Sequence, residues 1–178
     1  QAAGTINAGG LATINVTGAG SQTVGALIAG AGGLTKSGTG TLTLAGDNTY
    51  TGTTTVSAGS LKLGATGGGV NTPLGTTGAG TTVATGATLD LNGFTLGTAE
   101  ALTLNGTGVL AGGALTNSSA SAATYSGLIN LGTASSIVAS NGDIVLSNPG
   151  TITGAGLGLT LGGSSTNSSL ASIIGTAG

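Results

Sequence analysis

The chain has 178 residues, of which 39 are glycine and only 3% are charged, and its formal net charge is −2. Nucleic acid and anionic membrane surfaces require clustered Lys or Arg, so a chain with two lysines and no arginine argues against both kinds of partner. Cysteine and histidine are absent, which excludes disulfides, thiolate metal sites and a histidine-based catalytic triad.

Short triplets of the form aliphatic–x–aliphatic recur eight times along the chain, and the middle residue is polar or charged in seven of them. Successive side chains of a strand point to opposite faces, so this alternation predicts short β-strands with one buried face. In chain order the triplets are Ile14-Asn15-Val16, Leu42-Thr43-Leu44, Leu61-Lys62-Leu63, Leu89-Asp90-Leu91, Leu102-Thr103-Leu104, Ile129-Asn130-Leu131, Ile144-Val145-Leu146 and Leu159-Thr160-Leu161.

The residues between the triplets indicate turns rather than helices. They are mostly Gly, Thr, Ser and Asn, and each Gly costs a helix about 1 kcal/mol relative to Ala. The triplets start 13 to 28 residues apart, a spacing that a polygonal coil of about 20 residues with variable corners produces. We therefore predict an all-β solenoid in which several triplets share a coil on different sides. A disordered Gly/Ser-rich chain is the rival interpretation, and the regular aliphatics argue against it.

Two longer patterns also recur. Residues 54–63 and 81–91, and more loosely 135–146, read as strand, glycine turn and strand. Residues 42–52 and 115–127 each carry a tyrosine, Tyr50 or Tyr125, two residues before a final glycine. We expect each tyrosine ring to close the edge of a coil by packing over the neighbouring turn, with stacking on a sugar or a partner surface as the alternative.

Residues 38–61 carry a more specific motif, GTGTLTLAGDNTYTGTTTVSAGSL. This motif resembles the autotransporter-associated β-strand repeat, also called the passenger-associated transport repeat. Residues 33–38 fit the usual lead-in of that family, and residues 73–75 and 87–93 resemble its inter-repeat sequence. The resemblance covers residues 33–64, with a looser match to about residue 127.

The resemblance implies a right-handed parallel β-helix displayed outside a Gram-negative-type cell as the passenger of a type V secretion system. It places the chain in the extracellular space, on the bacterial outer surface. We expect residues 1–178 to form a single β-helix segment that is an internal section of a longer passenger or fibre protein, since neither a secretion signal nor a stretch similar to the exporting membrane barrel is recognisable.

The ionisable residues do not form a recognisable catalytic motif, and we predict no catalytic, cofactor-binding or metal-binding residues and no cofactor. Glycoside hydrolysis needs two carboxylates facing one cleft, whereas the four acids are scattered and are expected to be outward-facing, solubilising charges. A Ser–Lys dyad at Lys36 and Ser37 would need a desolvated lysine, and we expect Lys36 to be solvated. The acids are Asp47, Asp90, Glu100 and Asp143.

Two further patterns have a functional and a structural interpretation. Asp47 and Asn48 could contribute to a calcium site, but the sequence around them is more simply a turn with an Asx hydrogen bond. Thr41/Thr43 and Thr151/Thr153 present hydroxyls two residues apart, as ice-binding solenoids do. We expect these threonines to be ordinary outward strand residues, because the array does not recur at a fixed place in each coil.

The sequence therefore predicts a non-catalytic, structural or adhesive segment that acts as a cell-surface passenger, stalk or matrix fibre. The expected partners are other copies of the chain, end to end or laterally, or continuing β-helix coils, and also cell-surface or matrix glycans. Neither nucleic acid binding nor membrane insertion by this segment is expected. A polysaccharide-acting β-helix enzyme and an ice-binding Thr-rich solenoid are the alternatives.

Overall fold

A computed structural model describes residues 4–67 and 69–175. These residues contain strands and one 3₁₀ turn, Val109–Ala111, and no α-helix. Parallel strands stack as a β-solenoid of about eight turns, with paired residues about 22 positions apart. The predicted all-β parallel solenoid is confirmed, and its coils are slightly longer than the expected 20 residues.

Short strands make up each coil. The described residues form β1 Thr5–Asn7, β2 Ala12–Asn15, β3 Ser21–Val24, β4 Leu27–Ala29, β5 Leu34–Ser37, β6 Thr41–Leu44, β7 Thr54–Val56, β8 Gly59–Leu63, β9 Asn71–Thr72, β10 Gly75–Thr76, β11 Thr81–Val83, β12 Ala87–Asp90, β13 Thr95–Leu96, β14 Leu102–Gly106, β15 Leu115–Thr116, β16 Ala123–Tyr125, β17 Ile129–Ala139, β18 Ile144–Leu146, β19 Thr151–Thr153, β20 Leu159–Gly163, β21 Ser169–Leu170 and β22 Ile173–Gly175.

The solenoid has three sides, each a parallel ladder with one strand from successive coils. The first side runs β2-β5-β7-β11-β14-β17-β19-β22, and the second runs β3-β6-β8-β12-β15-β17-β20. The long strand β17 belongs to both and joins them. The third side contains β1-β4 at one end and β13-β16-β18-β21 at the other.

Aliphatic side chains stack inside the solenoid in register. On the second side, one inward position is occupied in consecutive coils by residues that are each at most 4% exposed. Each such side chain contributes roughly 1.5–3 kcal/mol when buried. Because the ladder is parallel and in register, every coil extends the same narrow core. This column consists of Leu42, Leu61, Leu89, Leu115 and Ile137.

The aliphatic triplets predicted this core correctly except at the ends. Both aliphatic residues are buried in six of the eight triplets. The triplet at Ile14 lies in the first coil, where Ile14 is partly exposed. The triplet at Leu159 lies in the last coil, where Leu161 is 52% exposed. An inward position is covered only when another coil stacks on it, which the sequence pattern of a single strand does not reveal.

The uneven triplet spacing reflects insertions at the corners. Paired residues Leu34 and Thr54 are 20 positions apart, whereas Thr54 and Thr81 are 27 apart. The longer coil accommodates an antiparallel hairpin formed by β9 and β10. A later coil contains the 3₁₀ turn, in which Leu110 has a positive φ of 49°. The strands keep their register while the corners absorb the extra residues.

Candidate functional sites

The charged side chains are distributed over the solenoid and do not converge on one cleft. Lys36 and Glu100 lie inside it and are fully buried, whereas Asp47 is exposed. Lys62 and Asp90 form an ion pair on the second side, with Nζ 3.5 Å from Oδ2. Within residues 4–67 and 69–175, no three acidic side chains lie close enough together to hold a metal ion.

The Lys62–Asp90 pair serves to hold a loop. Ser118 Oγ donates to Asp90 Oδ2 at 2.5 Å, and Lys62 Nζ donates to the same serine oxygen at 2.9 Å. The backbone N–H of Ser118, which could otherwise stabilise an oxyanion, donates to Asp90 Oδ1 at 3.0 Å. Ser118, Lys62 and Asp90 lie within hydrogen-bonding distance of one another, and their hydrogen bonds hold the loop at Ser118 in place. Asp90 faces outward as expected, but this loop covers it and leaves only 6% of it exposed.

Glu100 corrects the expectation that all four acids face solvent. Its carboxylate accepts a hydrogen bond from Thr81 Oγ1 at 2.5 Å and another from Thr72 Oγ1 at 3.3 Å. Burial raises the pKa of Glu100 to about 7, and the two threonine hydroxyls only partly oppose this rise. We call Glu100, Thr72, Thr81 and Tyr125 the Glu100 cluster; Tyr125 joins it because its hydroxyl donates to Glu100 O at 2.7 Å.

Both tyrosines lie in the interior, in agreement with their predicted packing role. Tyr50 Oη and Thr54 Oγ1 are 2.6 Å apart, and Thr54 Oγ1 donates to Leu74 O at 2.6 Å. Burial raises the pKa of the Tyr50 hydroxyl and of the Tyr125 hydroxyl, and the nearby Glu100 adds to both rises. Both rings are fully buried, so neither can stack on a sugar.

The expectation of a solvated Lys36 is wrong. Lys36 occupies an inward position of β5, in register with Ile14 and Val56. Its Nζ donates to Ser37 O, Gly38 O and Ala58 O at 2.9, 2.7 and 2.9 Å. Burial lowers its pKa. The three carbonyl acceptors occupy the three ammonium protons, so Lys36 fastens a corner of the solenoid and is not positioned to activate Ser37.

Asn48 connects coils rather than closing a local turn. Its Oδ1 accepts from Ile28 N at 2.8 Å, and its Nδ2 donates to Pro73 O at 2.7 Å. Both partners are at least 20 residues away. The side chain of Asn48 is therefore held by residues of neighbouring coils and not by an Asx turn. Because this amide is fully buried, it is not available to bind calcium.

The two Thr-x-Thr copies lie on different sides of the solenoid, so that array has no fixed place, as expected. A different row, of six threonines and one asparagine, follows the outside of the first side. Thr41 and Thr43 lie on the second side, but Thr153 belongs to this row. Neighbouring members are about 4.8 Å apart, the spacing of paired strands. No member carries a charge. The threonine row consists of Thr13, Thr35, Thr55, Thr82, Thr103, Asn130 and Thr153, one from each of seven consecutive coils.

Sequence reasoning missed the polar interior positions. Thr54 and Thr81 point inward, where they meet Tyr50 and Glu100 respectively. The available signal was the repeated Thr-Thr-Val pattern: residues two apart share a face of a strand, so the first threonine must share the face of the buried valine. Nothing in the local sequence indicated which distant group each hydroxyl would meet.

The last coil leaves an apolar cleft at the end of the described solenoid. The cleft has a volume of about 350 Å³. It is lined mainly by inward-facing aliphatic side chains of the last two coils, with serines at its rim. Its apolar lining includes Ile137, Ile144, Leu146, Leu161 and Leu170.

These features define a parallel β-solenoid whose polar and charged interior groups serve its own coils. The family model described as the passenger-associated transport repeat matches residues 34–63, which span β5 to β8. The resemblance stated for residues 33–64 is confirmed, and this stretch carries that repeat; the looser match to about residue 127 stays a prediction. No curated protein and no solved structure gives a match. None of the described residues form a helix long and apolar enough to cross a membrane.

Proposed function

We propose that this chain is a non-catalytic segment of an extracellular β-solenoid, displayed on a bacterial outer surface as part of an autotransporter passenger. The observation that carries the proposal is the transport repeat at residues 34–63, which is embedded in a continuous parallel solenoid. Such a segment works through its shape, because stacked coils form a rod that extends from the cell. Residues 1–178 are then one section of a longer passenger or fibre.

Cell-surface labelling tests this location. Intact cells that produce the full-length protein are incubated with an antibody raised against residues 4–175 and, separately, with an added protease. We expect the antibody to label intact cells and the protease to remove the label, because the rod lies outside the outer membrane. Labelling that appears only after the cells are permeabilised contradicts the proposal. A periplasmic protein detected in parallel controls for membrane integrity.

The proposed partner is another solenoid end, either a continuing coil of the same polypeptide or a second copy of the chain. The last coil exposes apolar residues that include Leu161 and Ile173, which are 52% and 66% exposed. The first coil exposes Ile6 and Leu11. Its strands also present backbone groups that can pair with a further strand. Stacking one end on the other extends both the hydrogen-bonded ladders and the aliphatic columns.

An assembly experiment tests the end-to-end contact. We expect the purified chain to form elongated particles whose mass rises with concentration, and Leu161→Asp to reduce this growth because it places a charge in the apolar cleft. Leu110→Asp is the matched control, since Leu110 is 99% exposed on a side loop away from the ends. Light scattering measures the particle mass. A monodisperse monomer at all concentrations, or equal loss of growth in both variants, rules out end-to-end assembly.

The threonine row favours ice binding as a second candidate function. Uncharged hydroxyl and methyl groups occupy this position in six of seven consecutive coils, with Asn130 in the remaining one, so they form a nearly regular array on one sheet. Thermal hysteresis measured on the purified chain decides the matter, and a value at or near zero dismisses this candidate. The polysaccharide-acting enzyme is less well supported, because Glu100 is enclosed in the core and Asp90 is tied to Lys62 and Ser118.

A further inference from the structure

We propose that Asn141-Gly142 is a site of spontaneous deamidation, and that the fold directs this reaction to it while protecting the other two Asn-Gly pairs of the chain. Those pairs are Asn92-Gly93 and Asn105-Gly106. An asparagine is most reactive before glycine, because glycine has no side chain to hinder attack by its own backbone nitrogen. The dipeptide is the same at all three places, so a difference in rate between them must come from the fold.

The reaction needs no partner other than water. The backbone nitrogen of Gly142 gives its proton to solvent and attacks Cγ of Asn141, so that an N–Cγ bond forms. The Cγ–Nδ2 bond then breaks, and the nitrogen takes up a proton from water and leaves as ammonia. Water next opens the cyclic imide at either carbonyl, which leaves aspartate or isoaspartate at position 141. The net change converts an amide and water into a carboxylic acid and ammonia, with no oxidation or reduction.

Asn92-Gly93 is held at both of its reacting groups. Gly93 N donates to Asn117 Oδ1 at 2.8 Å. Loss of this proton would leave a negatively charged nitrogen against the oxygen that accepted it, which opposes the attack. Asn92 Nδ2 donates to Leu63 O at 2.9 Å, so the side-chain amide is anchored to a neighbouring coil. Bringing the nitrogen and Cγ together requires both hydrogen bonds to break.

Asn105-Gly106 is restrained in the same way. Gly106 N donates to Thr133 Oγ1 at 2.9 Å, and Asn105 Nδ2 donates to Val83 O at 2.8 Å. Gly106 also ends β14 and pairs with Ser135 of β17, so its backbone is fixed in the ladder of the first side. The attacking nitrogen and the attacked side chain are therefore both engaged elsewhere.

Asn141-Gly142 lacks these restraints. Asn141 is exposed at the corner between β17 and β18. Its Nδ2 donates to Ser118 O over a long 3.4 Å, at the surface. Within residues 4–67 and 69–175, Gly142 N donates to no acceptor. Its proton can therefore be lost to solvent, and turning the Asn141 side chain toward the nitrogen breaks only one weak hydrogen bond.

Packing between coils requires the glycine of this reactive pair. A β-carbon at Gly142 would lie 2.5 Å from Ser119 O and 2.6 Å from Ser121 O in the preceding coil. A larger residue, which would slow the attack by hindering the backbone nitrogen, does not fit at this corner. The stacking of the coils thus keeps a deamidation-prone dipeptide at an exposed position.

The product changes the charge of a polar cleft next to this corner. Asn141 and Asp143 both line the cleft, together with Asn167. Asp143 Oδ1 accepts from Asn167 N at 2.9 Å. A carboxylate at position 141 adds a second negative charge beside Asp143, in a chain whose formal net charge is −2. Deamidated protein is therefore separable from the starting chain by anion exchange.

Peptide mapping by mass spectrometry tests the proposal. The folded chain is incubated at mildly alkaline pH in water enriched in heavy oxygen, so that peptides converted during the incubation carry the isotope. We expect Asn141 to convert about tenfold or more faster than Asn92 and Asn105, and to yield both aspartate and isoaspartate. Equal rates at the three asparagines of the folded chain, or faster conversion at Asn92 or Asn105, overturn the proposal.

The same chain unfolded in urea is the control for intrinsic reactivity. We expect the three pairs to convert at similar rates there, because the hydrogen bonds that protect Asn92 and Asn105 are lost. If Asn141 keeps its full lead in urea, the fold does not set the selectivity and the proposal is wrong. Asn141→Gln should abolish the fast release of ammonia, because glutamine must close a larger ring. Release at the wild-type rate from this variant likewise refutes the assignment.

Discussion

Gly127→Ala is expected to destabilise the protein by about 3 kcal/mol or more. A β-carbon at Gly127 would overlap Glu100 O and would lie 2.7 Å from Tyr125 Cε1. A neighbouring coil cannot withdraw, because Tyr125 Oη donates to the same Glu100 oxygen at 2.7 Å. The added methyl group must therefore force the two coils apart or displace the buried ring. Thermal and urea unfolding followed by circular dichroism measure the loss.

Gly10→Ala is the matched control for this change. A β-carbon at Gly10 meets no atom within 4 Å, and its φ is not positive. Restricting the unfolded chain at such a site is neutral or slightly stabilising, by up to about 1 kcal/mol. If Gly127→Ala unfolds at the same urea concentration as Gly10→Ala, the close contact between the coils is not as the structure describes.

The close approach at Gly127 explains the recurrence of Tyr-x-Gly. The motif occurs as Tyr50-Thr51-Gly52 and as Tyr125-Ser126-Gly127. A β-carbon at Gly52 would likewise collide with the backbone of Gly33 in the preceding coil. In both copies the tyrosine fills the interior while the glycine allows the next corner to lie directly against its neighbour. Both residues of the motif therefore serve packing between coils.

Lys36→Met is expected to cost about 3 kcal/mol, because methionine preserves the buried stem but supplies no donor. Three carbonyl oxygens lose their hydrogen bonds to Nζ, and of these Ser37 O still accepts from Val16 N. Each buried acceptor left without a partner costs about 1–3 kcal/mol. Removing a buried charge also removes its desolvation penalty, which offsets part of the loss. Urea unfolding measures the net change.

Lys62→Met, at the other lysine of the chain, is the matched control. The Lys62 side chain is 31% exposed, and Asp90, which the Ser118 loop covers, keeps both hydrogen bonds from Ser118 when the lysine is replaced. An ion pair with one partner open to solvent is screened, and we take its contribution as about 0–1 kcal/mol. We therefore expect Lys36→Met to be clearly the more destabilising of the two. Equal effects would mean that the hydrogen bonds of Lys36 to the corner carbonyls do not hold in solution.

Together with the Glu100 cluster, Lys36 shows how a core with few large side chains acquires a defined register. Aliphatic columns such as Leu61 over Leu89 are compatible with several registers between neighbouring strands, because similar residues repeat in every coil. A buried polar group that needs particular hydrogen-bond partners is compatible with only one register. Lys36 requires carbonyls from two coils, and Glu100 requires hydroxyls from β9 and β11. We therefore expect these polar contacts to select one stacking arrangement among several of similar hydrophobic energy.

The sequence by itself determined the fold class and most of the core. The alternation of aliphatic and polar residues is a local property of each strand, so the burial of Leu42, Leu61 and Leu89 followed from it directly. The transport repeat was recognisable in the same way, because its motif is contiguous in the chain. The predictions failed where a side chain has partners far away in sequence.

Only the tertiary structure decided the environments of Lys36, Asn48 and Glu100, and the alignment of the threonine row. Solvation of a lysine depends on which carbonyls the next coil brings to it, and Ala58 lies 22 residues beyond Lys36. The alignment of the threonine row likewise depends on the register between coils of unequal length. Insertions at the corners change the number of residues between one strand and the next, but backbone hydrogen bonds still align the strands. Local alternation specifies which face a residue occupies, whereas stacking specifies what that face meets.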